Sequence, residues 1–239
     1  MRFRPTRLVR RLLAAAAYSA AGALAVLVVV FVVYMEGRPD LDVWHLAELD
    51  EEFTEASGVE TFTDYLVLEE RLFAQLDKQV YAQVPADERR LINRYNKGSL
   101  SDPAGWSQNW NRSFELPAAT PKAGVLLLHG MSDSPYSLRN LGQRLNADGA
   151  LVVGLRIPGH GTAPSGLVEA TWRDMAAAVV VAMRHLAQQT GEGPLYVVGY
   201  SNGAALAVHY ALATLEDETL PKVERLVLLS PAIGVTSAA

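Results

Sequence analysis

Leu195-Tyr196-Val197-Val198-Gly199-Tyr200-Ser201-Asn202-Gly203 is the stretch whose reading decides the fold. Its first four residues are apolar or β-forming and read as a short buried strand. The run that follows, Ala204 to Ala213, holds neither Gly nor Pro and reads as a helix. A Ser on a tight strand-to-helix turn, with Gly two residues to either side, forms the G-x-S-x-G nucleophile elbow. Such a turn asks for strained backbone, and a side chain at Gly199 or Gly203 would collide with the neighbouring strand or helix. The pattern points to acyl-transfer chemistry, with Ser201 as nucleophile and the Asn202 amide as a first oxyanion donor.

Working outward, the same alternation recurs. Val125 to Leu128 reads as a strand, and Ser134 with Pro135 opens a helix that ends at Asp148-Gly149. Leu151 to Leu155 is the next strand, Thr171 caps a long helix through about Gln189, and Leu226 to Leu229 is a strand after the elbow helix. Continuous apolar strands separated by helices predict a mostly parallel sheet covered by helices on both faces, an α/β class. Sites in such sheets lie at the carboxyl ends of strands. Two loops there carry suitable residues. Leu128-His129-Gly130-Met131 runs into a Gly turn whose Met131 amide can supply a second oxyanion donor, and Ile157-Pro158-Gly159-His160-Gly161-Thr162 follows the next strand.

Taken together, His129-Gly130-Met131, Arg156-Ile157-Pro158-Gly159-His160-Gly161 and Gly199-Tyr200-Ser201-Asn202-Gly203 resemble the α/β-hydrolase superfamily. The likeness is strongest to the branch with monoacylglycerol lipases, bacterial carboxylesterases and serine aminopeptidase-like hydrolases, and it covers roughly Lys122 to Gly234. It implies a serine hydrolase acting on carboxylic esters, lipid-like ones among them, through an acyl-enzyme and without cofactor or metal. It also implies that His129 and His160 shape loops rather than act as bases. A peptidase or amidase of the same fold and a catalytically dead, tethered binding protein stand as alternatives.

The resemblance places the acid and then the base after the Ser. His209 is eight residues beyond Ser201 on one helix, about 12 Å along its axis, and cannot reach the hydroxyl. His185 belongs to the helix before the elbow, and His45 lies beside a linker. The carboxylates after Ser201, namely Glu216, Asp217, Glu218 and Glu224, all precede the strand Leu226 to Leu229, at the sheet's opposite end. The acid, the base, a lid and two further strands are therefore expected beyond Ala239. On this reading the fold is incomplete at its C-terminus, the 239-residue chain is inactive alone, and its last strand presents a bare edge.

Half of the chain is hydrophobic and its formal net charge is -5, although five of its first eleven residues are Arg. No Lys/Arg stripe favours nucleic acid as a partner. The absence of Cys excludes disulfides and a thiolate nucleophile. Leu12 to Met35 carries no charge and is long enough to span a bilayer, and its end lacks the small-x-small site of a cleaved signal. The Arg cluster predicts a cytoplasmic N-terminus, with the bulk of a single-pass protein on the other side. The expected segments are a basic stretch at 1–11, a transmembrane anchor at 12–35, a linker at 36–49, a helical extension with the first strands at 50–121, and the hydrolase portion at 122–239. In the extension, Phe62, Tyr65, Leu66, Leu68, Leu72, Phe73 and Leu76 predict one amphipathic helix. Pro85 and Gly98 bracket a predicted second. The acidic faces of both are read most simply as solvated surface, with a partner or membrane-proximal role as the alternative.

Overall fold

The computed structural model describes residues 6–234, and the chain divides into two units, Met1–Leu41 and Asp42–Ala239. The first holds one helix, α1 (Arg7–Glu36), built from Ala, Leu and Val. It starts where the Thr6 hydroxyl accepts from the Val9 N–H at 3.5 Å and stops at Gly37, whose N–H returns to the Val33 carbonyl. Its most apolar 18 residues have a mean hydropathy of 2.4, and none of them is buried. By length and composition α1 can cross a membrane.

The second unit begins with a single helical turn, α2 (Val43–Leu46), followed by α3 (Phe62–Gln79). The Thr61 hydroxyl caps α3 by accepting from the Asp64 N–H at 3.1 Å. One face of α3 buries Phe62, Tyr65, Leu68, Leu72, Phe73 and Leu76, as the apolar spacing predicts, whereas Leu66 of the same set falls off that face and is exposed. The second predicted helix does not form. Residues 86–88 make one 3₁₀ turn and the chain then runs in turns to residue 101. Asn side chains compete for the carbonyls a helix would use: Asn93 Nδ2 donates to the Glu88 carbonyl and Asn96 Nδ2 to that of Arg90.

The rest alternates strand and helix: β1 (Phe114–Leu116), β2 (Gly124–Leu128), α4 (Arg139–Ala147), β3 (Leu151–Leu155), α5 (Trp172–Thr190), β4 (Leu195–Tyr200), α6 (Asn202–Glu216) and β5 (Arg225–Leu229). The sheet order is β1-β3-β2-β4-β5, with β1 antiparallel to β3 and every other pair parallel. The α/β class and the strand positions agree with the sequence pattern. β2 and β3 are buried at every residue because apolar layers cover both faces. One layer contains Met175, Ala178, Val179, Met183 and Leu186 of α5 with Leu206, Ala207 and Tyr210 of α6, and Phe62, Tyr65 and Leu68 of α3 join it. The other contains Trp110, Phe114, Val125, Leu127, Val152 and Val198. β5 differs: its residues alternate exposed and half-buried, and Val227 and Leu229 are 47% and 40% exposed.

Two registers place the site. Leu128 pairs with Gly199, so His129 and Gly130 leave β2 beside Tyr200 and Ser201. Tyr196 pairs with Arg225, which sets the carboxylates before β5 at the end of the sheet remote from the elbow.

Candidate active site

Ser201 lies between β4 and α6 with φ 52° and ψ -113°, one of three non-Gly residues of positive φ among those described. An L-residue in such a conformation carries about 1–3 kcal/mol of strain and persists only where its surroundings impose it. They do so on both sides. The Ser201 N–H donates to the Leu229 carbonyl at 2.9 Å, and the Ser201 carbonyl accepts from the N–H groups of Ala204, Ala205 and Ala232 at 3.1, 3.3 and 3.2 Å.

The flanking glycines serve close approach rather than unusual dihedrals, since neither has a positive φ. A Cβ on Gly203 would fall 2.2 Å from the Leu128 carbonyl oxygen and 2.5 Å from that of His129. One on Gly199 would fall 2.5 Å from Ala204 Cα and from the Gly203 oxygen. Strain therefore sits on Ser201 and the collisions on the glycines, and the two requirements expected together in the sequence separate in space.

Across from the elbow, Gly130 packs so tightly that a Cβ would lie 3.0 Å from the Tyr200 ring and 3.4 Å from Ser201 Cβ. Met131 follows, its side chain half exposed. Asn202 is the first residue of α6, so its N–H has no intrahelical acceptor and stands at the positive end of the helix dipole. Its side-chain amide turns away, to Met175 Sδ at 3.7 Å.

The histidines near the elbow are structural. His129 is fully buried, and its Nε2 accepts the Ile157 N–H at 3.1 Å. The proton is therefore on Nδ1, which donates to the Gly130 carbonyl at 2.9 Å. Burial pushes this imidazole down to about 3, so it is neutral and cannot take a proton at neutral pH. His160, whose ring centre lies 5.1 Å from that of His129, bonds the Pro158 carbonyl through Nδ1 and is lowered by burial as well. The other histidines are engaged elsewhere: His209 against the Trp172 ring at 5.3 Å, His185 with Glu115 at 2.5 Å, and His45 with the Asp42 N–H at 3.1 Å. Among the described residues no side chain bonds the Ser201 hydroxyl, and no group of three His, Asp or Glu could hold a metal.

Sequence reasoning missed a buried ionic cluster behind the Pro158-Gly159-His160 loop. Arg156 is fully buried. Its guanidinium makes two bonds to the Glu52 carboxylate (2.9 and 2.8 Å), one from Nε to Glu69 Oε2 (3.3 Å) and one to the His160 carbonyl (3.0 Å). Ser113 bonds both Glu69 oxygens and accepts the Arg156 N–H, while the Tyr65 hydroxyl donates to the Arg156 carbonyl at 2.6 Å. Burial pushes the Glu69 carboxyl up, and the Arg156 charge opposes that shift. The acidic face of α3 is thus partly an interior surface, contrary to the solvated reading. One signal was present: Glu69 falls in phase with the apolar positions 62, 65, 72 and 76.

This fold and elbow are those of the α/β-hydrolases. The family described as Serine aminopeptidase, S33 matches residues 119–239, and the chain belongs to it. It is 29% identical over 116 residues to a thermostable monoacylglycerol lipase of Bacillus sp. (strain H-257), covering 48% of this chain and 43% of that one. A solved structure of the metagenome-derived lipolytic enzymes LipS and LipT is 29% identical, with a TM-score of 0.47 over 54% of this chain and 49% of that one. The monoacylglycerol lipase of Paleococcus ferrophilus is 22% identical, with a TM-score of 0.40 over 52% and 44%. The chain spans about half or less of the length of these relatives.

Proposed function

We propose that this chain carries the nucleophile half of a membrane-anchored serine hydrolase that cleaves carboxylic esters, with lipid-like esters as the favoured class. The observation that carries the reading is Ser201 held at φ 52° on the turn between β4 and α6, facing the Gly130-Met131 turn across paired strand ends. Ser201 attacks the ester carbonyl, and the Met131 and Asn202 amides hold the oxyanion. Among the described residues no imidazole within reach can deprotonate Ser201, so the acid and base are assigned to sequence beyond residue 239. The similarity to lipolytic proteins supports an ester substrate, and no cofactor or metal is needed. α1 is the anchor, its N-terminus cytoplasmic on the strength of Arg2, Arg4, Arg7, Arg10 and Arg11, with the hydrolase portion on the other side. The family's aminopeptidase description supports an amidase of the same fold as a second reading.

The test is turnover of p-nitrophenyl butyrate and of the matching anilide by the protein expressed from its natural gene, beside Ser201→Ala. Ser201-dependent ester cleavage, with a loss of about 10⁶ on substitution, is expected. A preference for the anilide would select the amidase, and turnover that survives Ser201→Ala would sink both. Residues 1–239 alone are expected to show no Ser201-dependent turnover. Reporter fusions at Gly37 check the orientation, which fails if a cytoplasmic reporter is active there.

A further inference from the structure

The segment Arg89-Arg90-Leu91-Ile92-Asn93-Arg94-Tyr95-Asn96-Lys97-Gly98-Ser99-Leu100 has a composition unlike the unit around it. Residues 42–239 hold 15 Lys and Arg against 24 Asp and Glu, yet these twelve residues hold four cations and no acid. Leu91, Ile92 and Leu100 are 69%, 76% and 83% exposed, among the most exposed large apolar side chains of the unit. They form one patch, because the Leu100 N–H donates to the Leu91 carbonyl at 2.8 Å. The loop beneath is built rather than loose. Tyr95 is buried, stacks on Trp44 at 5.2 Å and donates from its hydroxyl to the Thr162 carbonyl, and Asp102 ties down the Gly98 N–H. A fixed loop that presents three apolar side chains ringed by cations fits an interface with apolar chains beneath anionic headgroups.

The charges around it leave that use open. Arg90 pairs with Glu88 at 2.9 Å and Lys97 with Asp77 at 2.6 Å, both at exposed positions where an ion pair contributes little and exchanges readily. Arg89 bonds the Val84 carbonyl at 3.4 Å and Arg94 the Gly161 carbonyl at 3.5 Å, so neither is neutralised by a carboxylate. Asp87 flanks the segment, and Asp102 is engaged beneath it.

We propose that residues 89–100 dock the hydrolase unit on an anionic lipid bilayer, with Leu91, Ile92 and Leu100 in the acyl boundary and Arg89, Arg90, Arg94 and Lys97 among the headgroups. This rests on the membrane reading of α1 and adds a second, lipid-selective contact to it. A docked loop fixes which face of the hydrolase unit meets the bilayer.

Residues 1–239 hold no Cys, so a Cys introduced there is a single labelling site once any Cys elsewhere in the full protein has been replaced. Ile92→Cys and Leu100→Cys carry an environment-sensitive nitrobenzoxadiazole dye, Glu218→Cys is the exposed control, and Val29→Cys reports insertion of α1. Each is read in vesicles of phosphatidylcholine, in vesicles of equal phosphatidylcholine and phosphatidylglycerol, and in nonionic detergent. In the anionic vesicles positions 92 and 100 should shift to the blue and be quenched by a nitroxide on the lipid chain several-fold more than position 218. That difference should fade at high salt and in a variant with Arg89, Arg90, Arg94 and Lys97 all changed to Gln. Emission at 92 and 100 that matches the control in every lipid would overturn the proposal. So would equal shielding in pure phosphatidylcholine, which removes the headgroup selection, or shielding in nonionic detergent that a nitroxide-bearing detergent does not quench, which would mean that protein covers the patch. An unquenched Val29 sinks the anchor reading alone, because positions 92 and 100 report docking on the same vesicles.

Discussion

The elbow and the Arg156 cluster both hold loops at the carboxyl end of the sheet, and they do so by opposite means. At the elbow, backbone is pressed on backbone: Gly203 lies against the Leu128 and His129 carbonyls, and no charge takes part. In the cluster, Arg156 and Glu69 are buried beside the partly buried Glu52, and the His160 loop is held through the Arg156 guanidinium. The first arrangement tolerates no added volume, because carbonyls of a central strand cannot move aside. The second tolerates no lost partner, because a buried charge left alone keeps its desolvation cost. His129 joins the two, accepting from Ile157, next to Arg156, and donating to Gly130 beside Ser201.

Breaking the cluster should have the largest effect on stability. Arg156→Met leaves Glu52 and Glu69 without their cation and should cost about 3–5 kcal/mol in urea unfolding. Adding Glu52→Gln and Glu69→Gln should recover much of that loss. If the triple variant is no more stable than the single one, packing rather than charge holds the cluster. Gly203→Ala attacks the other region and should cost about 3 kcal/mol through overpacking, with no dependence on salt. A thermal shift of a degree or less would show that β2 and α6 can part.

The link between the two regions should appear in pH dependence. Burial holds His129 at about 3, against an ordinary value near 6.5, so the unfolded chain binds the proton first as pH falls. Its contribution is complete above pH 6.5 and declines as pH drops toward 3, by about 2 kcal/mol between pH 6.5 and 5. His160, lowered in the same direction, adds to the slope. Comparing unfolding at several pH values with His129→Gln isolates its share, and an unchanged slope would refute the burial-lowered imidazole. The smallest effect belongs to the surface pair Arg71–Glu51, at 2.9 Å but largely exposed. Glu51→Gln should shift stability by less than about 0.5 kcal/mol. A cost above 1 kcal/mol would blur the contrast between buried and surface charge.

How far each region was legible follows from chain separation. Gly199, Ser201 and Gly203 lie within five residues, and their steric demands are local, so the motif announces itself. Glu52, Glu69, Ser113 and Arg156 are spread over a hundred residues, and nothing near any of them names its partner. Glu69 falls in phase with the apolar stripe of α3, which marks it as buried, but not what it faces. The segment after Pro85 misled for a related reason: its spacing suited a helix, while Asn93 and Asn96 take the carbonyls a helix needs. β5 shows a further limit. Its Leu226 to Leu229 run resembles that of β2, yet β2 is buried throughout and β5 is half open, because coverage is set by what packs above and below a strand.

The sequence by itself determined the α/β alternation, the elbow with Ser201 at its turn, the Gly130 turn that faces it and an N-terminal helix apolar enough to span a bilayer. Each follows from periodicity, or from backbone demands that a few adjacent residues satisfy. Only the tertiary structure decided which charges are interior, which nitrogen of His129 holds the proton, and that Leu91, Ile92 and Leu100 share one basic-rimmed patch. Burial, protonation and patch formation depend on groups brought together from distant parts of the chain, and only folding makes them neighbours.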